Sequence, residues 1–107
     1  MKGTHLGEFE EIVLLLVGIL GSEAYGLAIM DKLIEQTKRS TTIGAVHAAL
    51  SRLQDKGFLV SEMGGGTKER GGRRKRIFTI TAAGRKALEY SRDIRLTLWE
   101  QYSLGSI

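Results

Sequence analysis

STTIGAVHAALSRLQDKGFL, residues Ser40 to Leu59, is the stretch on which the fold turns. Ile43, Val46, Leu50 and Leu53 recur at i, i+3, i+7 and i+10, the spacing of one helical face. Thr41 and Thr42 stand before them as capping hydroxyls, and Gly57 follows as a left-handed stop, so the pattern predicts a helix marked at both ends. The opposite face carries Gly44, Ala45, Ala48, Ser51 and Arg52, with His47 at its flank. Small side chains let a helix backbone approach a partner closely. Ser51 and Arg52 can reach phosphates or base edges, and Thr41 and Thr42 put hydroxyls and free N–H groups at the N-terminus. An ordinary surface helix would look the same, so what surrounds this one decides its meaning.

Upstream, FEEIVLLLVGIL (Phe9 to Leu20) predicts a helix with an acidic first turn and apolar residues on nearly every face. Such a helix is surrounded by protein, and Ile12 and Leu16 are assigned to a side that meets a second subunit. Gly21-Ser22 breaks it. Ser22 then caps a second helix from Glu23 to about Thr37, with Leu27, Met30 and Ile34 along one face. Downstream come two strands, Phe58 to Met63 and Arg76 to Ile80, and a last helix that Thr81 caps and that runs from Ala82 to about Tyr102. Its apolar residues form two stripes, Ala87, Ile94 and Leu98 on one, Leu88, Leu96 and Trp99 on the other. That is more than a small domain covers by itself, so a chain cut after Arg92 is expected to be a poorly folded monomer.

Between the strands lies GGGTKERGGRRK, Gly64 to Lys75, whose five glycines and lack of apolar residues read as a hairpin loop carrying cations. From Gly64 to Arg92 there are nine basic and two acidic residues, a net of +7 in a chain whose total is +4, leaving −3 for the rest. A block of this kind points to a polyanion, either nucleic acid or an anionic membrane surface. No aromatic residue is interleaved in the loop, which disfavours a single-strand stacking platform and favours duplex DNA. The loop also lacks the Gly-Lys-Ser/Thr of a nucleotide-binding P-loop.

Other classes are excluded by inventory. One hundred and seven residues make one domain with a modest core. There is no cysteine, which removes disulfides and thiolate sites and is compatible with the reducing cytoplasm. The longest apolar run, Ile12 to Leu20, falls far short of the ~20 residues of a membrane span, and the opening residues do not read as a secretory signal. His5 and His47 are the only histidines, and Asp31 and Glu35 read as a solvated helix face, so no catalytic group, metal site or cofactor is expected.

Three helices, a hairpin with a basic tip and a trailing helix are the order of a winged helix-turn-helix, whose third helix enters the major groove. The expected architecture is thus mainly α with a small β-hairpin, residues 1–81 forming the winged body and 82–107 a C-terminal dimerisation helix. DNA contacts are assigned to Thr41, Thr42, Gly44, His47, Ala48, Ser51 and Arg52 on the helix, and to Lys68, Arg70, Arg73, Arg74, Lys75 and Arg76 on the wing. The rival reading is a winged-helix module for protein or RNA contact without specific DNA binding.

Three segments in this order resemble the PadR transcriptional regulators over about residues 6–90: LGEFEEIVLLLVGIL with Ala24-Tyr25-Gly26, then GAVHAALSRLQDKGFL, then GGRRKRIFTITAAG. Gly44, Leu50, Arg52, Leu53 and Gly57 match the family's central stretch. Ala45, His47 and Ala48 stand where the family usually has Thr, Tyr and Pro, Arg74 replaces a wing proline, and Ile77-Phe78 replace two tyrosines. The resemblance implies a homodimeric repressor of the short-tailed branch, with the C-terminal helix making the dimer through Ile94, Leu98, Trp99 and Tyr102. It also implies that the dimer interface can take a flat hydrophobic effector, for which Trp99 is the candidate ligand residue.

Overall fold

The computed structural model describes residues 5–64 and 75–105. Helix α1 spans Glu8–Leu20 and is followed by one 3-10 turn, Gly21–Glu23; α2 is Gly26–Thr37 and α3 is Ile43–Asp55. Strands β1 (Leu59–Met63) and β2 (Arg76–Ile80) form an antiparallel hairpin, and α4, Ala82–Gly105, ends the described chain. The architecture is the winged helix-turn-helix that the element order predicts.

The core gathers where α1, α2 and α3 meet the hairpin. Val13, Leu14 and Val17 of α1, Ile29 and Leu33 of α2, and Val46, Leu50 and Leu53 of α3 are fully buried. Leu59 and Phe78 enter from the two strands, which pair as Leu59↔Ile80, Ser61↔Phe78 and Met63↔Arg76. The expected stripe of α3 is found, with Ala49 added to it and Ile43 left partly exposed at the rim. At its end Gly57 takes φ 81°, and the Phe58 and Gly57 amides donate to Leu53 and Gln54. This doubly bonded stop needs a residue that tolerates the left-handed region, and it turns the chain straight into β1.

Two expectations need correction. Helix α2 starts at Gly26, not Glu23, and Ser22 caps nothing. The reason is tertiary: buried Ala24 gives its carbonyl to the Phe78 amide of β2 at 2.9 Å, so the chain is held out of the helical conformation at Ala24, runs extended at Tyr25, and the helix begins after them. Its buried face is therefore Gly26, Ile29 and Leu33, while Leu27 and Ile34, two residues of the apolar face that the spacing marks, are exposed. The second correction concerns α1. Leu16 is buried in the protomer's own core at 4% exposure and Ile12 is half-buried, so the apolar surface that α1 leaves open is Leu15 and Ile19.

Helix α4 is joined to the body by its first three turns. Thr81 caps it, accepting the Gly84 amide at 3.0 Å and donating its hydroxyl to the Gly57 carbonyl at 2.7 Å. Gly84 is buried, and Ala87 and Leu88 pack against the core. From Arg92 to Gly105 every residue is exposed. The helix accordingly projects, giving extents of 60 × 31 × 20 Å and a radius of gyration of 16.0 Å, against about 13 Å for a compact chain of this length.

Candidate nucleic-acid interface

Helix α3 meets the solvent with Gly44, Ala45, His47, Ala48, Ser51 and Arg52, all exposed, as the spacing predicts. Gly44, Ala48 and Ser51 share one line along the helix, so its backbone is thinly covered over two turns. Thr42 is the N-cap, and its hydroxyl accepts the Ala45 amide at 3.1 Å. Thr41 beside it is half-buried. The His47 ring leans on the start of α2, where a Cβ added to Gly26 would lie 2.8 Å from His47 Cε1. The bare Gly26 Cα thereby leaves room for the His47 ring.

Arg52 is held differently from the expectation. Its Nε donates to Glu10 Oε2 at 2.7 Å, and Lys56, one turn on, donates its Nζ to Glu10 Oε1 at 2.6 Å and to the His5 carbonyl. Arg52 thus serves first to fasten α3 to α1. The adjacent Glu11 faces the other way: Ser91 Oγ donates to its Oε1 at 3.2 Å, and Arg95 Nη1 lies 2.9 Å from the same oxygen. Two neighbouring buried carboxylates on α1 therefore tie down the third helix on one side and the projecting helix on the other. In the sequence both look like no more than an acidic first turn. Their partners lie 42 and more residues away, so no local spacing could have found them.

Burial pushes the Glu10 carboxyl up, but hydrogen bonds from Lys56 and Arg52, the Lys56 charge and the Gly7 amide outweigh it and hold the group below its ordinary value of 4.5. A carboxyl that is more acidic folded than unfolded adds stability above the unfolded value, and this contribution disappears as pH falls through the lowered folded value. Wild-type protein is expected to lose stability as pH falls below the ordinary value of 4.5 and through the lowered folded value, with Glu10→Gln less stable at neutral pH and flatter across that fall. Urea midpoints at several pH values check this, and parallel curves for the two proteins would remove Glu10 from the acid response.

On the wing, Arg76 lies on the same strand face as Phe78, one step nearer the loop, and its Nη1 donates to Ser61 Oγ across the hairpin at 3.0 Å. Lys75 holds its Nζ 3.7 Å from the centre of the Tyr25 ring. Lys68, Arg70, Arg73 and Arg74 lie outside the described residues. At the far end of the molecule, Ile94, Leu98, Trp99 and Tyr102 are all exposed on α4, with Trp99 and Tyr102 edge to face at 5.7 Å. Arg95, Leu98, Trp99 and Tyr102 border a shallow recess of about 350 Å³. No helix among the described residues is long and apolar enough to cross a membrane.

A capped, thinly covered third helix beside a hairpin with cations at its root defines a winged helix-turn-helix protein. The PadR-like family of transcriptional regulators matches residues 14–90. The chain belongs to that family, whose members regulate transcription and are not enzymes. Among curated proteins none matches it. Solved structures share its fold. A PadR-like transcription factor from Bacteroides fragilis superposes with a TM-score of 0.72 at 23% identity, over 89% of this chain and 86% of that one. A PadR family regulator from Clostridium difficile gives 0.64 at 23% identity, over 90% and 98%. Bacillus subtilis PadR in complex with operator DNA gives 0.64 at 18% identity, over 94% of this chain and 60% of that one.

Proposed function

We propose that this chain is a cytoplasmic, homodimeric repressor that reads a palindromic operator in duplex DNA. The observation that carries the reading is the exposed line Gly44, Ala48 and Ser51 on a helix whose N-terminus is capped by Thr42. An α-helix fits the major groove, and small residues bring its backbone to the groove floor. The operator complex of B. subtilis PadR, which has the same fold, supports this choice over a protein- or RNA-contact module. Residues 1–81 serve as the winged body. The exposed Ile94, Leu98, Trp99 and Tyr102 of α4, together with Leu15 and Ile19 of α1, are the apolar surface a second copy would cover. Two-fold symmetry then sets half-sites about one helical turn, ~10 bp, or a multiple apart. A flat hydrophobic molecule stacked on Trp99 would act as the releasing effector by changing the angle between the two bodies.

Phosphate contacts by the wing supply affinity, and the third helix supplies sequence preference. Arg73→Ala combined with Arg74→Ala is expected to weaken binding to every duplex alike and to flatten the dependence of log affinity on log salt by about one unit per lost contact. Ser51→Ala should leave that slope alone and change the ranking of duplexes. Fluorescence anisotropy on a panel of duplexes at several salt concentrations separates the two effects. An unchanged slope in the double variant would take the wing out of the account, and equal losses on all duplexes for Ser51→Ala would take away its base-reading role.

A further inference from the structure

We propose that Lys75 is a positioning residue, not a phosphate ligand: through its cation on the Tyr25 ring it fixes the root of the wing relative to the third helix. The inference rests on the DNA-binding reading and reassigns one of its residues. Four contacts carry it. The Lys75 ammonium sits 3.7 Å from the Tyr25 ring centre, within the range at which a cation is drawn to a ring face. The Lys75 carbonyl accepts the Gly64 amide at 2.6 Å, so the same residue joins the strands where they enter the loop. Three residues on, the Phe78 amide donates to the carbonyl of Ala24, the neighbour of Tyr25. Finally, Gly26, next to Tyr25, is the residue on which His47 of α3 rests.

Tyr25 and Gly26 therefore form a junction, the ring of the first receiving the Lys75 ammonium and the bare Cα of the second leaving room for the His47 ring of the third helix. Lys75 immediately precedes β2 at the root of the wing, so its contact with Tyr25 sets how the hairpin sits against the start of α2. A lysine meant for DNA has no need of an aromatic partner, whereas one that sets the exit angle does. Half-buried Lys75 differs in this from Arg76, which is exposed.

The test is a double-mutant cycle with Lys75→Gln, Tyr25→Leu and the pair, measured as affinity for the duplex that the wild type binds most tightly. Thermal melts verify that each variant is folded. Each single change is expected to lower affinity by roughly two- to tenfold, the double no further than the weaker single, and Lys75→Arg, which keeps the cation, is expected to restore binding. Losses that multiply in the double would make Lys75 a direct DNA ligand and overturn the proposal. NMR of the free protein supplies a readout independent of DNA: the Lys75 Hε protons should be shifted upfield by the ring, and Tyr25→Leu should abolish the shift. Lack of that shift in the wild type also overturns the proposal. A wild type that bound no duplex would sink the DNA-binding reading, while the ring shift would still decide whether the clamp exists.

Discussion

Gly84→Ala is expected to destabilise the protein by about 1–3 kcal/mol, even though alanine is the better helix former. A Cβ at this position would lie 2.4 Å from the Phe58 carbonyl oxygen and 2.9 Å from Ile80 Cγ1. The carbonyl cannot retreat. It belongs to the turn between α3 and β1 and already accepts the Thr81 amide at 3.1 Å. The first turn of α4 must shift instead, which strains the Thr81 cap that binds Gly84 on one side and Gly57 on the other. Gly→Ala would favour the helix by about 1 kcal/mol, and loss of the cap would offset that by a similar amount, leaving the steric cost. Thermal melts should show a fall of roughly 5–20 °C. Gly26→Ala is the control: the atom it meets is the end of the exposed His47 side chain, which can swing away, so its melting temperature should barely move. Equal melting temperatures for Gly84→Ala and wild type would mean that α4 is not seated on the Phe58 carbonyl.

Ending the chain at Leu96 is expected to leave a folded monomer whose DNA affinity has dropped by about a hundred- to ten-thousandfold, the gain that linking two binding units ordinarily supplies. The variant keeps Arg95 on Glu11 and all the residues of α4 that pack on the body, Gly84, Ala87 and Leu88 among them. It loses Leu98, Trp99 and Tyr102, which touch solvent and each other but contribute nothing to the protomer's core. A cut after Arg92 removes more, taking Ile94 and the Arg95 partner of Glu11 as well, and remains expected to leave a poorly folded monomer. Sedimentation gives the oligomeric state and urea melts the stability. A dimer of unchanged affinity would move the interface away from the end of α4.

The third helix was legible because its information is local: one apolar stripe, a capping threonine and a glycine stop lie within twenty residues and agree with each other. The hairpin was legible for the same reason, its strands framed by Gly57, the glycine-rich loop and Thr81. What the sequence hid depends on contacts between distant segments. The Phe78 amide on Ala24 delays α2 and rotates its face, a tertiary hydrogen bond overriding a local capping signal. Arg52 looks like a free cation because its exposed helix face is visible in the spacing and Glu10 is not. Lys75 looks like part of a basic run, and nothing in that run announces Tyr25, fifty residues earlier, as its partner. Leu16 looks like an interface residue because α1 is apolar nearly all round, and only its packing separates the buried side from the open one.

Everything proposed for the third helix depends on its reading a particular duplex sequence through small residues. The most direct measurement is fluorescence anisotropy of the protein on the duplex upstream of its own coding sequence, beside a shuffled duplex of equal length, at two salt concentrations. A preference for the native duplex of about a thousandfold or more is expected at the higher salt. Equal affinities for both duplexes, falling together as salt rises, would contradict it and leave a protein that responds to polyanion charge alone.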